Sequence, residues 1–253
     1  MSILRKINNR RKMFKGDWRA FFAFLVGVLL TSLARLVLLP LTHDTTNDPY
    51  HQIFRKFVAS VNALPSARLL EIGSRSRSGN VYTQGFRKDI EYVGFDIIPG
   101  PNVDLVGDIH QLSKSIQSES FDAIFCFSVF EHLAMPWQAA LEMNKALKVG
   151  GLVFIATHPT WPLHDRPWDF FRFSTDAFRS LFHRHTGFEI LEASEGLPCR
   201  IIPLAREASM RGMERSDTAF LGVSMIARKT GTPDPRLSWD IELKDFLTTH
   251  YPE

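Results

Sequence analysis

The sequence predicts an α/β fold: a Rossmann-like, seven-stranded, mostly parallel sheet with an antiparallel edge hairpin, preceded by a hydrophobic N-terminal helix. Three observations carry this expectation. Between Ala67 and His158, short apolar runs closed by an acid or a glycine alternate with helical patterns, as right-handed β-α-β crossovers require. Near the end, "FEILEAS" and "FLGVSMIARK" are strand-like with no strong helix between them, which suits an edge hairpin. At 253 residues, 45% hydrophobic and 23% charged, the chain has room for one sizeable enzyme-like domain with appendages.

The N-terminal region divides into a basic tail, residues 1–19, and an apolar stretch, residues 20–41. Arg5, Lys6, Arg10, Arg11, Lys12, Lys15 and Arg19 concentrate the positive charge behind the formal net charge of +3, leaving the remainder near neutral. Nucleic acid is therefore not an expected partner. At ~1.5 Å per residue, "AFFAFLVGVLLTSLARLVLLPL" just covers a hydrocarbon core of ~30 Å, but Arg35 interrupts it near its end. A single span with the basic tail inside would carry the rest of the chain away from a cytoplasmic cofactor. The expected placement is a helix in the inner-leaflet interface, with the main domain on the cytoplasmic face of the membrane. A soluble helix packed on the domain is the other reading. The apolar run is followed by no small-residue cleavage site.

Residues 42–65 form a connector and an amphipathic helix, on which Tyr50, Ile53, Phe54, Phe57, Val58, Val61 and Leu64 recur at helical spacing before Pro65. The main domain is expected over 66–230. Its strands are "ARLLEIG", "IEYVGFDI", a short one in "VDLVGDIH", "FDAIFCFSV" and "GGLVFIATH". A helical face marked by Leu133, Trp137, Leu141 and Leu147 lies between the last two. Residues 231–253 read as a tail. Cys126 falls inside a strand pattern and Cys199 lies far from it; with no Cys/His ligand spacing, no metal is expected.

In an open parallel sheet, ligands bind at the carboxyl ends of the strands near the switch in strand order. Glu71 to Gly73 closes the first strand, where a tight turn brings backbone N–H groups close to a ligand. Asp96 closes the second, placed to accept from both hydroxyls of a ribose. Asp108 follows the third, placed to accept from an adenine amine.

This order of pieces resembles the class I S-adenosylmethionine-dependent methyltransferases over roughly Ala67 to Phe182. The matching stretches are "LLEIGSRSRSG", "YVGFDI", "VGDIHQL", "FDAIFCFSVFEHL" and "ALKVGGLVFIATH". The resemblance implies S-adenosyl-L-methionine as cofactor, held by Glu71, Gly73, Ser74, Gly79, Asp96, Ile97, Asp108 and Ile109. Ser128 and Val129 would flank its sulfonium end. Glu131 and His132 are expected to cap and pack the following helix. The chain departs from the family's E-x-G-x-G-x-G loop, because Arg75 and Arg77 occupy the second and third glycine positions. They are either solvated or turned to the methionine carboxylate or an acidic substrate.

"HPTWPLHDRPWDFFRFS", His158 to Ser174, follows the fifth strand and is expected to overhang the transferred methyl as a stiff aromatic lid. Trp161, Arg166, Trp168, Phe171 and Arg172 are its candidate substrate contacts. For a hydroxyl acceptor the base is His158 or His164, with Asp165 as orienting partner. A loop-fixing hydrogen bond is the alternative for His164 and Asp165. The acceptor class is a small molecule, lipid-linked or saccharide. Two other readings stand beside methyl transfer: a non-catalytic membrane-associated binding protein, and a nicotinamide-dependent oxidoreductase. The oxidoreductase lacks G-x-G-x-x-G in the first loop and a Tyr-x-x-x-Lys pair.

Overall fold

The computed structural model describes residues 17–19, 21, 22, 24–27, 29, 33, 47–76, 79, 81–199, 201 and 218–237. Most of the basic tail and of the 20–41 stretch, Arg77, and the tail beyond residue 237 lie outside them. Among the described residues, no helix is long and apolar enough to cross a membrane. The chain divides into two compact units, residues 1–44 with 199–219 and residues 45–198 with 220–253. In the smaller unit, Phe21 N donates to Asp17 O at 3.0 Å, and the Trp18 and Phe21 rings meet edge-on.

The larger unit holds the sheet. Its strands are β1 (Arg68–Ile72), β2 (Glu91–Asp96), β3 (Leu105–Val106), β4 (Phe121–Phe127), β5 (Leu147–Thr157), β6 (Phe188–Cys199) and β7 (Ala219–Lys229), in spatial order β3-β2-β1-β4-β5-β7-β6. The first five pair in parallel, and β7 runs antiparallel to β5, with Phe154 opposite Ile226. The seven-stranded expectation holds. The succession of strands reverses between β1 and β4, which defines the switch point.

Side-chain alternation divides the core between the two faces of the sheet. Leu69, Phe125 and Phe154 pack with Ile53, Phe57 and Val61 of helix α1 (Pro49–Asn62). Leu70, Cys126 and Ile155 face the other way, toward Ala139, Ala140 and Met143 of helix α2 (Pro136–Ala146). Phe57, Phe125 and Phe154 are fully buried. Each contributes roughly 1.5–3 kcal/mol of transfer free energy. Helix α1 starts where expected because Asp48 accepts from Tyr50 N at 3.1 Å and Pro49 supplies a preset φ.

Two boundaries differ from the sequence expectation. The helical face marked from Leu133 starts only at Pro136, after a separate 3₁₀ turn, Phe130–His132, because Pro136 has no N–H to continue an earlier helix. Strand β5 begins at Leu147 rather than at the glycine pair. Its pairing with β4 jumps from Leu147 to Leu152, and Gly150 takes φ +86° in the irregular stretch.

Candidate active site

The turn after β1 is fastened to the end of β2. Gly73 N and Ser74 N both donate to Phe95 O, at 2.8 and 3.2 Å. Arg75 N donates to Asp96 Oδ2 at 3.1 Å, and Ile98 N to Asp96 Oδ1 at 2.9 Å. A carboxylate has about four lone-pair sites, so each Asp96 oxygen keeps capacity for a ligand hydroxyl. Gly73 has φ +77°, and a Cβ there would stand 2.3 Å from Val129 Cγ2. Glycine is required on both counts. The Arg75 stem lies over Gly100, whose own Cβ would meet it at 2.9 Å. That places the arginine stem against the turn after β2.

Beneath the turn, Tyr92 Oη donates to Glu71 Oε2 at 2.5 Å, and Asn102 Nδ2 donates to Tyr92 Oη at 2.7 Å and to Ser74 O at 3.0 Å. Burial pushes the Glu71 carboxyl up to about 7, against the opposing pull of the Tyr92 and Asn102 hydrogen bonds.

A cavity of about 420 Å³ opens here, within the range of small-molecule sites. Its walls include the expected Glu71, Gly73, Ser74, Asp96 and Ile97. Asp108, Ile109, Ser128 and Val129 line it further along. His158, Trp161, His164, Asp165 and Trp168 reach it from the loop after β5. His158 Nδ1 faces Leu221 O at 3.0 Å, so that nitrogen carries the proton in the neutral ring. Its Nε2 faces Ser128 Oγ at 3.1 Å and Glu131 Oε1 at 3.5 Å. Trp161 stacks on the imidazole with centroids 4.4 Å apart.

Residues 78–155 match the family model described as a methyltransferase domain. A ubiquinone biosynthesis O-methyltransferase from Xanthomonas campestris pv. campestris is 27% identical over 117 residues, which is 40% of this chain and 47% of that relative. The chain thus spans about half the length of the curated relatives it matches. A SAM-dependent methyltransferase from Archaeoglobus fulgidus shares the fold at TM-score 0.50 with 15% identity, over 70% of this chain and 91% of that one. The YcgJ protein of Bacillus subtilis matches at TM-score 0.49 with 16% identity, over 70% and 97%. Over residues 78–155 the chain is thus similar to a methyltransferase domain, and its sheet shares the fold of an S-adenosylmethionine-dependent methyltransferase.

The cofactor of this methyltransferase domain, S-adenosylmethionine, suits the residues at the switch point. Ser74 Oγ is buried and has no hydrogen-bond partner among the described residues. Gly73 leaves open the space a Cβ would fill, and Asp96 lines the cavity. Asp108 is partly committed: its Oδ1 accepts from His110 N at 2.9 Å and meets His110 Nδ1 at 2.6 Å, capping the 3₁₀ turn Ile109–Lys114.

Several expected site residues of the methyltransferase fall elsewhere. Gly79 does not line the cavity; it sits at φ +79° with open space around it. Arg77 lies outside the described residues. The partner of His164 is Asp169 rather than Asp165. The Asp169 carboxylate accepts from His164 N at 2.9 Å and stands 3.6 Å from His164 Nδ1, whereas Asp165 bends the chain at φ +47° and accepts from Trp168 N through its backbone. Arg166, Phe171 and Arg172 do not line the cavity. Arg172 instead clasps Asp169 and donates to the carbonyls of Trp161 and Pro162, tying the loop to itself. That pairing holds the Asp169 carboxyl down at about 2. Trp168 is 4% exposed and acts as a buried wall.

The residues that the sequence does not single out are Tyr82, Tyr92 and Asn102. Tyr82 lines the cavity and stacks on Phe127 at 4.0 Å. Its place in a polar loop gave no periodic signal. Glu131 was assigned to capping and packing, yet its side chain is fully buried against β5, with Thr157 Oγ1 donating to Oε2 at 2.5 Å.

Proposed function

We propose that the protein transfers a methyl group from S-adenosylmethionine to a hydroxyl of a small-molecule acceptor, with His158 as general base. The observation that carries this reading is the position of His158 Nε2 beside Ser128 at the cavity wall, with its tautomer set by Leu221 O. When bound, the cofactor supplies an electrophilic methyl on a sulfonium centre. Asp96 would hold the ribose and Glu71 would receive the ammonium group, while the Gly73 turn leaves room for close approach. His158 Nε2 would take the proton of the acceptor hydroxyl as the methyl is transferred. The Glu131 carboxylate then faces the imidazolium.

Trp161 and Trp168 give the acceptor pocket an apolar wall, favouring an acceptor with an aromatic or alkyl body. The likeness to an O-methyltransferase of ubiquinone biosynthesis supports oxygen as the methylated atom. The apolar 20–41 stretch supports an acceptor presented at a membrane face, reached by a peripheral helix.

The test is transfer of labelled methyl from the cofactor to simple phenols and to polyprenylated phenols, with calorimetric titration of S-adenosylmethionine and NAD alongside. Label on oxygen, with binding of the sulfonium cofactor alone, is expected. Label found on nitrogen or carbon, or no turnover with any extract fraction, overturns the reading.

A further inference from the structure

We propose that Glu131, His132 and His164 form a binding site for a divalent transition-metal ion beneath the proline-rich loop. The three residues come from two places in the chain, the 3₁₀ turn after β4 and the loop after β5, so no sequence spacing announces them. Their ligand atoms all lie within 4.8 Å of one another. Bonds to zinc-like ions run about 2.0–2.2 Å, so a triangle of that size needs each group to move inward by at most about 0.7 Å.

Two further observations point to a cation. The Glu131 side chain is fully buried, and its Oε1 has no hydrogen-bond partner among the described residues while Oε2 accepts from Thr157. A buried carboxylate oxygen left in this way is costly, and a cation supplies the missing interaction. Both imidazoles are also held as metal-binding histidines are. His132 Nδ1 meets Trp168 O at 2.5 Å, and His164 Nδ1 meets Pro162 O at 3.1 Å with the Asp169 carboxylate at 3.6 Å. A carbonyl facing Nδ1 fixes the proton there, which places the lone pair of each neutral ring on Nε2.

Two imidazoles and one carboxylate suit zinc, manganese, cobalt or ferrous iron, whereas magnesium and calcium prefer sets made of oxygen. His132 and His164 line the cavity, so the remaining coordination positions open toward the acceptor. An ion there would orient an acceptor oxygen and lower the pKa of its hydroxyl. That role rests on the methyl-transfer reading above; the binding site itself does not.

The probe is Co²⁺, added to the chelator-stripped full chain and followed by its visible ligand-field absorption and by calorimetry. One equivalent is expected to bind, with Zn²⁺ displacing it. Glu131→Gln and His164→Ala should each weaken binding by about a hundredfold, a ligand loss being at least as severe as the 10–100-fold typical of outer-shell partners. His185→Ala, outside the cluster, should leave it unchanged. Circular dichroism and thermal melts identify any variant that fails to fold, and His164, 29% exposed on its loop, is the more tolerant position. No stoichiometric Co²⁺, or undiminished binding in folded His164→Ala, overturns the site. S-adenosylmethionine titrated into the same apo protein separates the two ideas: a protein that takes up the cofactor but no Co²⁺ defeats the metal site alone, and one that takes up Co²⁺ but no cofactor defeats the methyl-transfer reading alone.

Discussion

Oε1 of Glu131 lies 3.5 Å from Nε2 of His158, so the nitrogen that meets Ser128 Oγ also faces a wholly buried carboxylate. The other nitrogen is occupied by Leu221 O at 3.0 Å. A ring held at one nitrogen by a carbonyl and approached at the other by an acid is oriented to accept a proton on the acid's side.

His158→Ala is therefore expected to lower kcat by about 10²–10⁴, the usual contribution of a positioned base. Cofactor affinity should stay within a few fold, since the contacts assigned to the nucleoside come from the ends of β1, β2 and β3. Single-turnover kinetics and calorimetry on the same preparation check both parts. A parallel fall in cofactor affinity would move His158 from the chemistry to the binding site.

On the proposed reading Asp96 binds the ribose as well as fastening the turn, and its substitution should show both. Asp96→Ala removes charge-assisted hydrogen bonds to a ribose, each worth roughly 1.5–3 kcal/mol, so cofactor affinity should fall by about 10²-fold or more. It also strips the acceptor from Arg75 N and Ile98 N, loosening the turn. Asp96→Asn keeps one carbonyl oxygen and should fall between. Calorimetric affinities together with thermal melts separate lost contact from lost loop.

Glu71 makes stability depend on pH in an unusual direction for an acid. Its carboxyl ordinarily titrates at 4.5 and in the fold at about 7, because burial disfavours the anion. Between those values the unfolded chain binds fewer protons than the native one, so stability falls as pH rises from about 4.5 to about 7. The loss is on the order of 3 kcal/mol. Glu71→Gln should lack that component in urea melts run across the window. Capture of the cofactor's ammonium favours the anion, so binding near pH 6 should release a proton. Binding heats that vary with buffer ionisation enthalpy would show it; buffer-independent heats would remove Glu71 from the ammonium site.

The sheet, and the gathering of Glu71, Gly73 and Asp96 at one cavity, are legible because their signals are local. Glu71, Gly73 and Asp96 each close an apolar run, and the parallel-sheet rule brings such closures together at one crest. The catalytic half was less legible. His164 was paired with its neighbour Asp165, but Asp165 turns the chain and the loop folds back so that Asp169, five residues on, meets it. Arg172 looked like a substrate contact because it is charged, yet within its loop the nearest carboxylate and carbonyls use up its donors. Glu131 was hidden for the opposite reason: an acid in a turn ordinarily faces water, and only the packing of β5 against that turn buries it.

Gly73 tests the close approach on which the cofactor site depends. Alanine there meets two separate obstacles, a φ of +77° and a Val129 methyl 2.3 Å from the new Cβ. The left-handed backbone alone costs roughly 1–2 kcal/mol for a residue with a side chain, and overpacking adds about 1–3 kcal/mol. Gly73→Ala should therefore lose about 2–5 kcal/mol in urea unfolding and bind cofactor weakly. Val129→Ala in the same chain removes the methyl group and leaves the backbone strain, so the double variant should recover the packing part and keep a deficit near 1–2 kcal/mol. Cofactor affinity should recover less than stability, because the added Cβ still fills the space that the glycine leaves open. A Gly73→Ala protein as stable as the parent, or a double variant no better than the single one, would show that Val129 does not press on this turn.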